Sequence, residues 1–147
     1  MLKLATSSTI LFTLSLTLIA EAASCPLVNV AGNYTISLHT KSATVWNDNA
    51  GKGCKNTAYI DKPVIQPDGL IVAGRLYWSP ANWDGGKFGG RVEPGTEPMQ
   101  WAGNAGDTEM KGTWRRGQLS GEFVRRFVYQ GQQIECRGTI SGFKTGK

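Results

Sequence analysis

Past its first two dozen residues the chain shows no window in which apolar side chains recur at helical spacing for three turns, and short runs alternating apolar with polar predict strands instead. Tyr34, Ile36 and Leu38 alternate with polar neighbours and predict a first strand over 33–38, while Asp48, Asn49, Gly51 and Gly53 predict a loop over 47–56 that ends near Cys54. An extended pattern resumes over 58–65. Gln66, Pro67, Asp68 and Gly69 then predict a turn, because proline presets its first corner and glycine accepts the positive φ that follows. The next strand, 70–78, places Leu70, Val72, Leu76 and Trp78 on one face and Ile71, Ala73, Arg75 and Tyr77 on the other. Both faces are fairly apolar, so this strand is expected to be covered on two sides or to present Tyr77 to a ligand.

Residues 79–90 hold four glycines and a proline, a composition poorly suited to ladders, and predict a mobile surface loop. Short strands are expected at 91–92, 99–102 and 110–114. A tight hairpin at 113–119 leads into the longest strand, 119–129, and Gly131 turns the chain into a last strand over 134–143. Glycine stands two residues before a large apolar side chain at Gly112 and Trp114, Gly121 and Phe123, and Gly138 and Ile140, an alternation that suits the tapering interior of a small barrel. The fold expected is all-β, a small antiparallel up-and-down barrel or strongly curled meander, since closure removes exposed sheet edges.

The opening residues change the picture of where this domain resides. Lys3, an apolar stretch over 4–20 and small residues at 22–24 read as a secretory signal, and the seven serines and threonines within the stretch argue against a membrane span. The expectation is a signal peptide over 1–24 and one exported β-domain over 25–147, secreted or periplasmic. Loss of Lys3 and Glu21 with the leader keeps the net charge at +5. All three cysteines lie beyond the cleavage region, in a chain routed to an oxidising compartment, so at least one pair is expected to be joined. Of the three pairings, Cys54 with Cys136 is preferred, because Cys25 sits at a terminus prone to fraying. The run 22–25 resembles a bacterial lipobox, with Ala22 where a larger aliphatic residue is usual. Cys25 is therefore a candidate for lipidation and an envelope anchor, besides pairing or remaining a free thiol.

The Gly32-Asn33-Tyr34 strand, Cys54, the Pro67-Asp68-Gly69 turn, the Leu119-Ser120-Gly121 strand and Cys136-Arg137-Gly138 together resemble a group of small bacterial exported β-barrel domains with one disulfide. The resemblance spans most of the chain past the leader. It rests on glycines, turns and cysteines, and implies architecture and no activity.

Candidate chemistry is sparse. His39 is the only histidine, so no zinc site of two or three histidines can be assembled, and neither a nucleophile elbow, a P-loop nor a dinucleotide fingerprint is present. No cofactor or metal is implied. Asp84, Glu93, Glu97, Asp107 and Glu109 are the carboxylates from which a glycosidase pair would have to come, and all are placed in loops or at strand ends. Arg115, Arg116, Arg125, Arg126 and Arg137 fall on three consecutive strands, so some are expected to be neighbours. The period of two sets Arg125 on one face with Phe123, Phe127 and Tyr129, an arrangement suited to a cation-π stack, a buried ion pair or an anion clamp. Trp83, between Asn82 and Asp84 in a glycine-rich loop, is suited to stacking on a sugar while its neighbours bond hydroxyls. Trp78, Trp101 and Trp114 are expected in the core.

These features favour a non-catalytic exported binding module for a carbohydrate or an extracytoplasmic protein, with Trp83, Asn82, Asp84, Tyr77, Arg115, Arg116, Arg125 and Arg126 as binding candidates. The alternatives are an inhibitor of a secreted lysozyme-type hydrolase, which the basic charge disfavours, and a small secreted enzyme of unrecognised type. Nucleic acid is not expected as a partner, because the charge is modest and the domain exported.

Overall fold

The computed structural model describes residues 28–44, 54, 56–79 and 82–147; the leader and Cys25 lie outside them. Among the described residues the chain forms nine antiparallel strand segments: β1 (Gly32–Thr44), β2 (Thr57–Asp61), β3 (Val64–Ile65), β4 (Leu70–Ser79), β5 (Trp83–Val92), β6 (Met99–Ala105), β7 (Thr108–Arg115), β8 (Gln118–Tyr129) and β9 (Gln132–Gly146). β2 and β3 both pair with β1 on one side and β4 on the other, so they are two pieces of one strand broken at Lys62 and Pro63. Proline lacks the N–H a ladder requires, and Lys62 takes a φ of 47° there. With that break counted once, eight strands follow one another around the ring, and β9 closes onto β1 over eleven residue pairs from Asn33 and Gly146 to Thr44 and Glu135. This is the closed up-and-down barrel that the alternation predicts. No helix among the described residues is long and apolar enough to cross a membrane.

The predicted loop over 79–90 is the main departure. Residues 83–92 form β5, paired with β4 from Trp83 to Arg91 and with β6 from Phe88 to Val92. Its glycines serve the packing of neighbours: a Cβ at Gly85 would lie 2.9 Å from Leu76 Cδ2 and from Trp78 Nε1, and one at Gly90 would lie 2.4 Å from the Ala102 carbonyl oxygen. On β6, a Cβ at Gly103 would lie 2.7 Å from Phe88 Cε2. Glycine weakens an isolated strand, but here it vacates room that Phe88, Leu76 and Trp78 fill. In β4 the predicted faces also change. A bulge around Ala73, whose φ is 60°, shifts the register between Ile71 and Gly74, so that Ile71 joins Leu76 and Trp78 inside while Leu70 is exposed.

The core runs the length of the barrel, with Trp78, Trp101, Phe88 and Phe123 as its largest fully buried side chains. Gly112 pairs with Gly121 across β7 and β8, and a Cβ on Gly121 would sit 2.1 Å from the Lys111 carbonyl oxygen. The indole of Trp101, itself paired with Gly112, reaches past these glycines to donate from Nε1 to the Ser120 carbonyl at 3.1 Å.

The connections define two ends. The lower end carries residues 28–31 and the β3–β4, β5–β6 and β7–β8 turns, and it is sealed by a buried relay in which Trp114 Nε1 donates to the Tyr34 hydroxyl (2.8 Å) and that hydroxyl donates to the Val30 carbonyl (2.7 Å). Burial pushes the Tyr34 phenol above its ordinary pKa, against the opposing effect of the Trp114 hydrogen bond. The upper end carries the β1–β2, β4–β5, β6–β7 and β8–β9 connections. There Cys54 and Cys136 form the expected disulfide, packed with Ile134, Ala43 and Phe127 in a second apolar cluster. Such a bond fits an oxidising, extracytoplasmic compartment.

Two outcomes test this packing. Reducing the disulfide, which closes a loop 82 positions long, is expected to lower unfolding free energy by about 4 kcal/mol in a denaturant titration with and without reductant; an unchanged midpoint contradicts the cross-link. Gly121→Ala is expected to cost about 1–3 kcal/mol by forcing β7 and β8 apart. Gly89→Ala, whose Cβ would meet nothing within 4 Å, is expected to stay within about 0.5 kcal/mol of the parent in the same assay.

Candidate functional site

The rim of the upper end is uneven, and the strand registers say why. Thr108 at the start of β7 pairs with Arg125, yet β8 continues to Tyr129 and β9 returns from Gln132, so this wall runs on for four residues, about 13 Å along the strand, beyond the Thr108 pair. On the other side Phe88 pairs with Ala105, the last residue of β6, and β5 extends back a further five residues to Trp83. The turn at Gly106 and Asp107 is therefore the floor of a notch between two taller walls.

Arg125 fills that notch. It points inward from β8, as its period predicts, and is only 4% exposed. Its guanidinium carbon lies 4.6 Å from the ring centre of Trp78, 4.4 Å from that of Phe127 and 5.4 Å from that of Trp83. A desolvated cation over aromatic faces gains about 2 kcal/mol, enough to offset part of the cost of burying the charge. Arg125 Nε donates to Asp107 Oδ2 at 3.2 Å, and the Thr108 hydroxyl donates to Asp107 Oδ1 at 3.1 Å, which fixes the carboxylate at the floor of the notch.

The polar groups of this site are only partly satisfied. Among the described residues, Arg125 Nη1 and Trp78 Nε1 are buried without a hydrogen-bond partner, as is Gln132 Oε1 toward the tip of the β8–β9 hairpin. A buried donor left unpaired costs about 1–3 kcal/mol, so two in one barrel end mark a place where a ligand acceptor would gain more than on the surface. Trp83 lies beside them. It is the register partner of Trp78 and so faces the same way, but at the rim, where it is 60% exposed.

The other predicted site residues are placed elsewhere. Asp84 and Tyr77 pair with each other on the outer wall, because a strand turns successive side chains to opposite faces. Asp84 there accepts both Arg75 Nε hydrogen bonds at 3.0 Å and the Gly86 N–H at 2.9 Å. The Arg75 hydrogen bond first, and the Gly86 N–H second, hold its carboxyl below the ordinary carboxylate range. Tyr77 stacks on Tyr59 with ring centres 5.6 Å apart, and Asn82 is exposed in the β4–β5 turn with a φ of 49°. Asp84, expected beside Trp83 at a binding surface, therefore faces away from it.

The predicted arginine cluster divides as well. Arg115 and Arg116 stand at the β7–β8 turn, at the lower end, where the Arg116 N–H donates to Glu97 at 3.1 Å. Arg126 points outward and, with Arg137, shares Glu135, whose carboxyl is held below its ordinary range chiefly by Arg137 and then by Arg126. Both line an open outer groove of about 840 Å³ floored by Gly89, Gly90, Ala102 and Gly103, in which acidic Glu109 and Glu122 balance the basic groups. Of the eight binding candidates, Trp83 and Arg125 alone meet at the upper end. Trp78, Phe127 and Asp107 complete the site. The alternation of β8 already placed Phe127 beside Arg125, whereas Trp78 and Asp107 come from chain segments whose neighbourhood depends on closure of the ring.

The five carboxylates considered for catalysis are likewise dispersed. Glu93 and Glu97 lie in the β5–β6 connection at the lower end, while Asp84 and Asp107 are each bound to an arginine and Glu109 contacts Arg126 outside. The arrangement suits recognition by stacking and by buried donors. A scan of protein-family models finds no match to this chain, and a search of curated proteins finds none.

The ion pair makes an asymmetric prediction. Asp107→Ala, which strands a buried cation, is expected to cost about 1–2 kcal/mol, whereas Arg125→Met, which removes the charge and keeps the volume, is expected to be neutral or stabilising. Thermal unfolding of both variants checks this; an equal loss in Arg125→Met would mean that the ion pair is itself net stabilising.

Proposed function

We propose that this domain is a non-catalytic exported binding module that recognises a carbohydrate at the upper end of its barrel. The observation that carries this reading is the pairing of an exposed ring with unmet donors: Trp83 offers a flat apolar face at the rim, beside N–H groups of Arg125 and Trp78 that have no partner among the described residues. A sugar presents the same combination in reverse, with an apolar ring face that stacks on indole and oxygens that accept hydrogen bonds. The dispersal of the carboxylates and their engagement with arginines favour binding over glycoside cleavage. Export rests on the leader read over 1–24 and on the fit of the disulfide to an oxidising compartment.

Glycan-array screening followed by calorimetry on the mature protein tests the reading. Trp83→Ala is expected to weaken glycan binding about tenfold, the size of one lost stacking contact. The same change is expected to move stability by no more than about 0.5 kcal/mol, because the ring is largely exposed. A protein that binds no glycan but suppresses a lysozyme-type hydrolase belongs to the inhibitor class, and substrate turnover abolished by removal of one carboxylate makes it an enzyme.

A further inference from the structure

The guanidinium of Arg125 has two edges along which pairs of N–H groups run parallel. Asp107 occupies the side edge, through Nε, with a single 3.2 Å hydrogen bond. The other edge is formed by Nη1 and Nη2, and Nη1 has no partner among the described residues although the side chain is 5% exposed. Parallel N–H groups at this spacing match the two oxygens of a planar carboxylate, and a charged acceptor gains roughly twice what a neutral hydroxyl gains from such a donor pair. The compensating anion is incomplete: Asp107 contributes one contact and its own side chain is 34% exposed, so water shares its charge. Glu109 and Glu135 face outward, where they are engaged by Arg126 and Arg137. The notch therefore presents a cation with one edge unfilled.

Building on the carbohydrate reading above, we propose that the glycan is acidic, a uronate-bearing saccharide whose carboxylate takes the Nη1 and Nη2 edge of Arg125 while its pyranose ring stacks on Trp83. Nη1 is covered in the unliganded protein. Of the three rings over the guanidinium, Trp83 has the least packing to lose on moving, since Trp78 is buried and Phe127 half-buried. Outward rotation of the Trp83 indole uncovers the edge and leaves the ring beside the incoming sugar. The ring that carries the Trp78 Nε1 donor lies 4.6 Å, centre to guanidinium carbon, from the Arg125 head group.

The experiment titrates the mature protein with an oligogalacturonide, with the same oligomer fully methyl-esterified, and with a neutral cello-oligosaccharide of equal length. The acidic oligomer is expected to bind at least about tenfold more tightly than its ester, with affinity falling as salt rises. Arg125→Lys is expected to remove that preference, because an ammonium cannot pair with both carboxylate oxygens in plane. Asp107→Asn, which withdraws the competing anion, is expected to bind the acidic oligomer at least as tightly as the parent. Arg116→Gln, at the opposite end, is expected to change nothing, which separates the site from general attraction by the net charge. Near-UV circular dichroism confirms that each variant keeps its aromatic packing. Equal affinity for acid and ester, or a preference that survives Arg125→Lys in folded protein, overturns the acidic assignment and leaves the carbohydrate reading intact. Absence of binding to every glycan overturns both.

Discussion

Eight strands closed into a ring enclose a space too narrow for a large side chain at every inward position, and this volume limit governs the rest of the molecule. The chain meets it by setting glycine against aromatic residues at successive levels. Trp101 lies across Gly112 and Gly121, Phe88 occupies the room left by Gly74 and Gly103, and Trp78 and Leu76 occupy that left by Gly85. In an open sheet these glycines would weaken the strands that contain them. Within the closed ring each one admits an aromatic side chain whose burial exceeds what a Cβ at that position would have contributed.

The same limit makes the two ends of the barrel different. At the lower end, Trp114, Tyr34 and the Val30 carbonyl complete a neutral chain of hydrogen bonds, so the interior is closed with its donors used. At the upper end the β6–β7 hairpin turns early, and the space it leaves is filled by the head group of Arg125 among Trp78, Trp83 and Phe127. A guanidinium is flat enough to stack between rings, but it brings more donors than Asp107 accepts. Stability alone would be served as well by an apolar side chain of similar length.

The disulfide acts on the same end. Cys136 is the register partner of Arg125, so the bond to Cys54 tethers the β1–β2 connection next to the strand that carries the buried cation. The wall formed by β8, β9 and β1 is thereby held upright beside the notch, through pairing that continues to Thr44 and Glu135.

Much of this architecture was legible in the chain itself. The period of two in 33–38 and 119–129 identified strands and the face that carries Arg125, the turn residues at 66–69 and 116–117 marked corners, and the three steps from glycine to a large apolar side chain implied a tapering interior. These are local properties, set by which way each side chain leaves the backbone. Tertiary structure decided the rest. The glycine-rich segment 83–90 reads locally as a loop and becomes strand because β4 along its length and β6 from Phe88 onward supply its hydrogen bonds, while neighbouring side chains fill the volume it leaves. The bulge at Ala73 breaks the predicted faces of β4, turning Ile71 inward with Leu76 and Trp78, and a one-residue slip of that kind leaves no trace in the alternation. Arg115 and Arg116 share the C-terminal meander with Arg125, yet they stand at the opposite end of the barrel, while Asp107 and Trp78 are brought to it. Side-chain direction is a property of the chain, whereas proximity between distant segments exists only once the ring has closed.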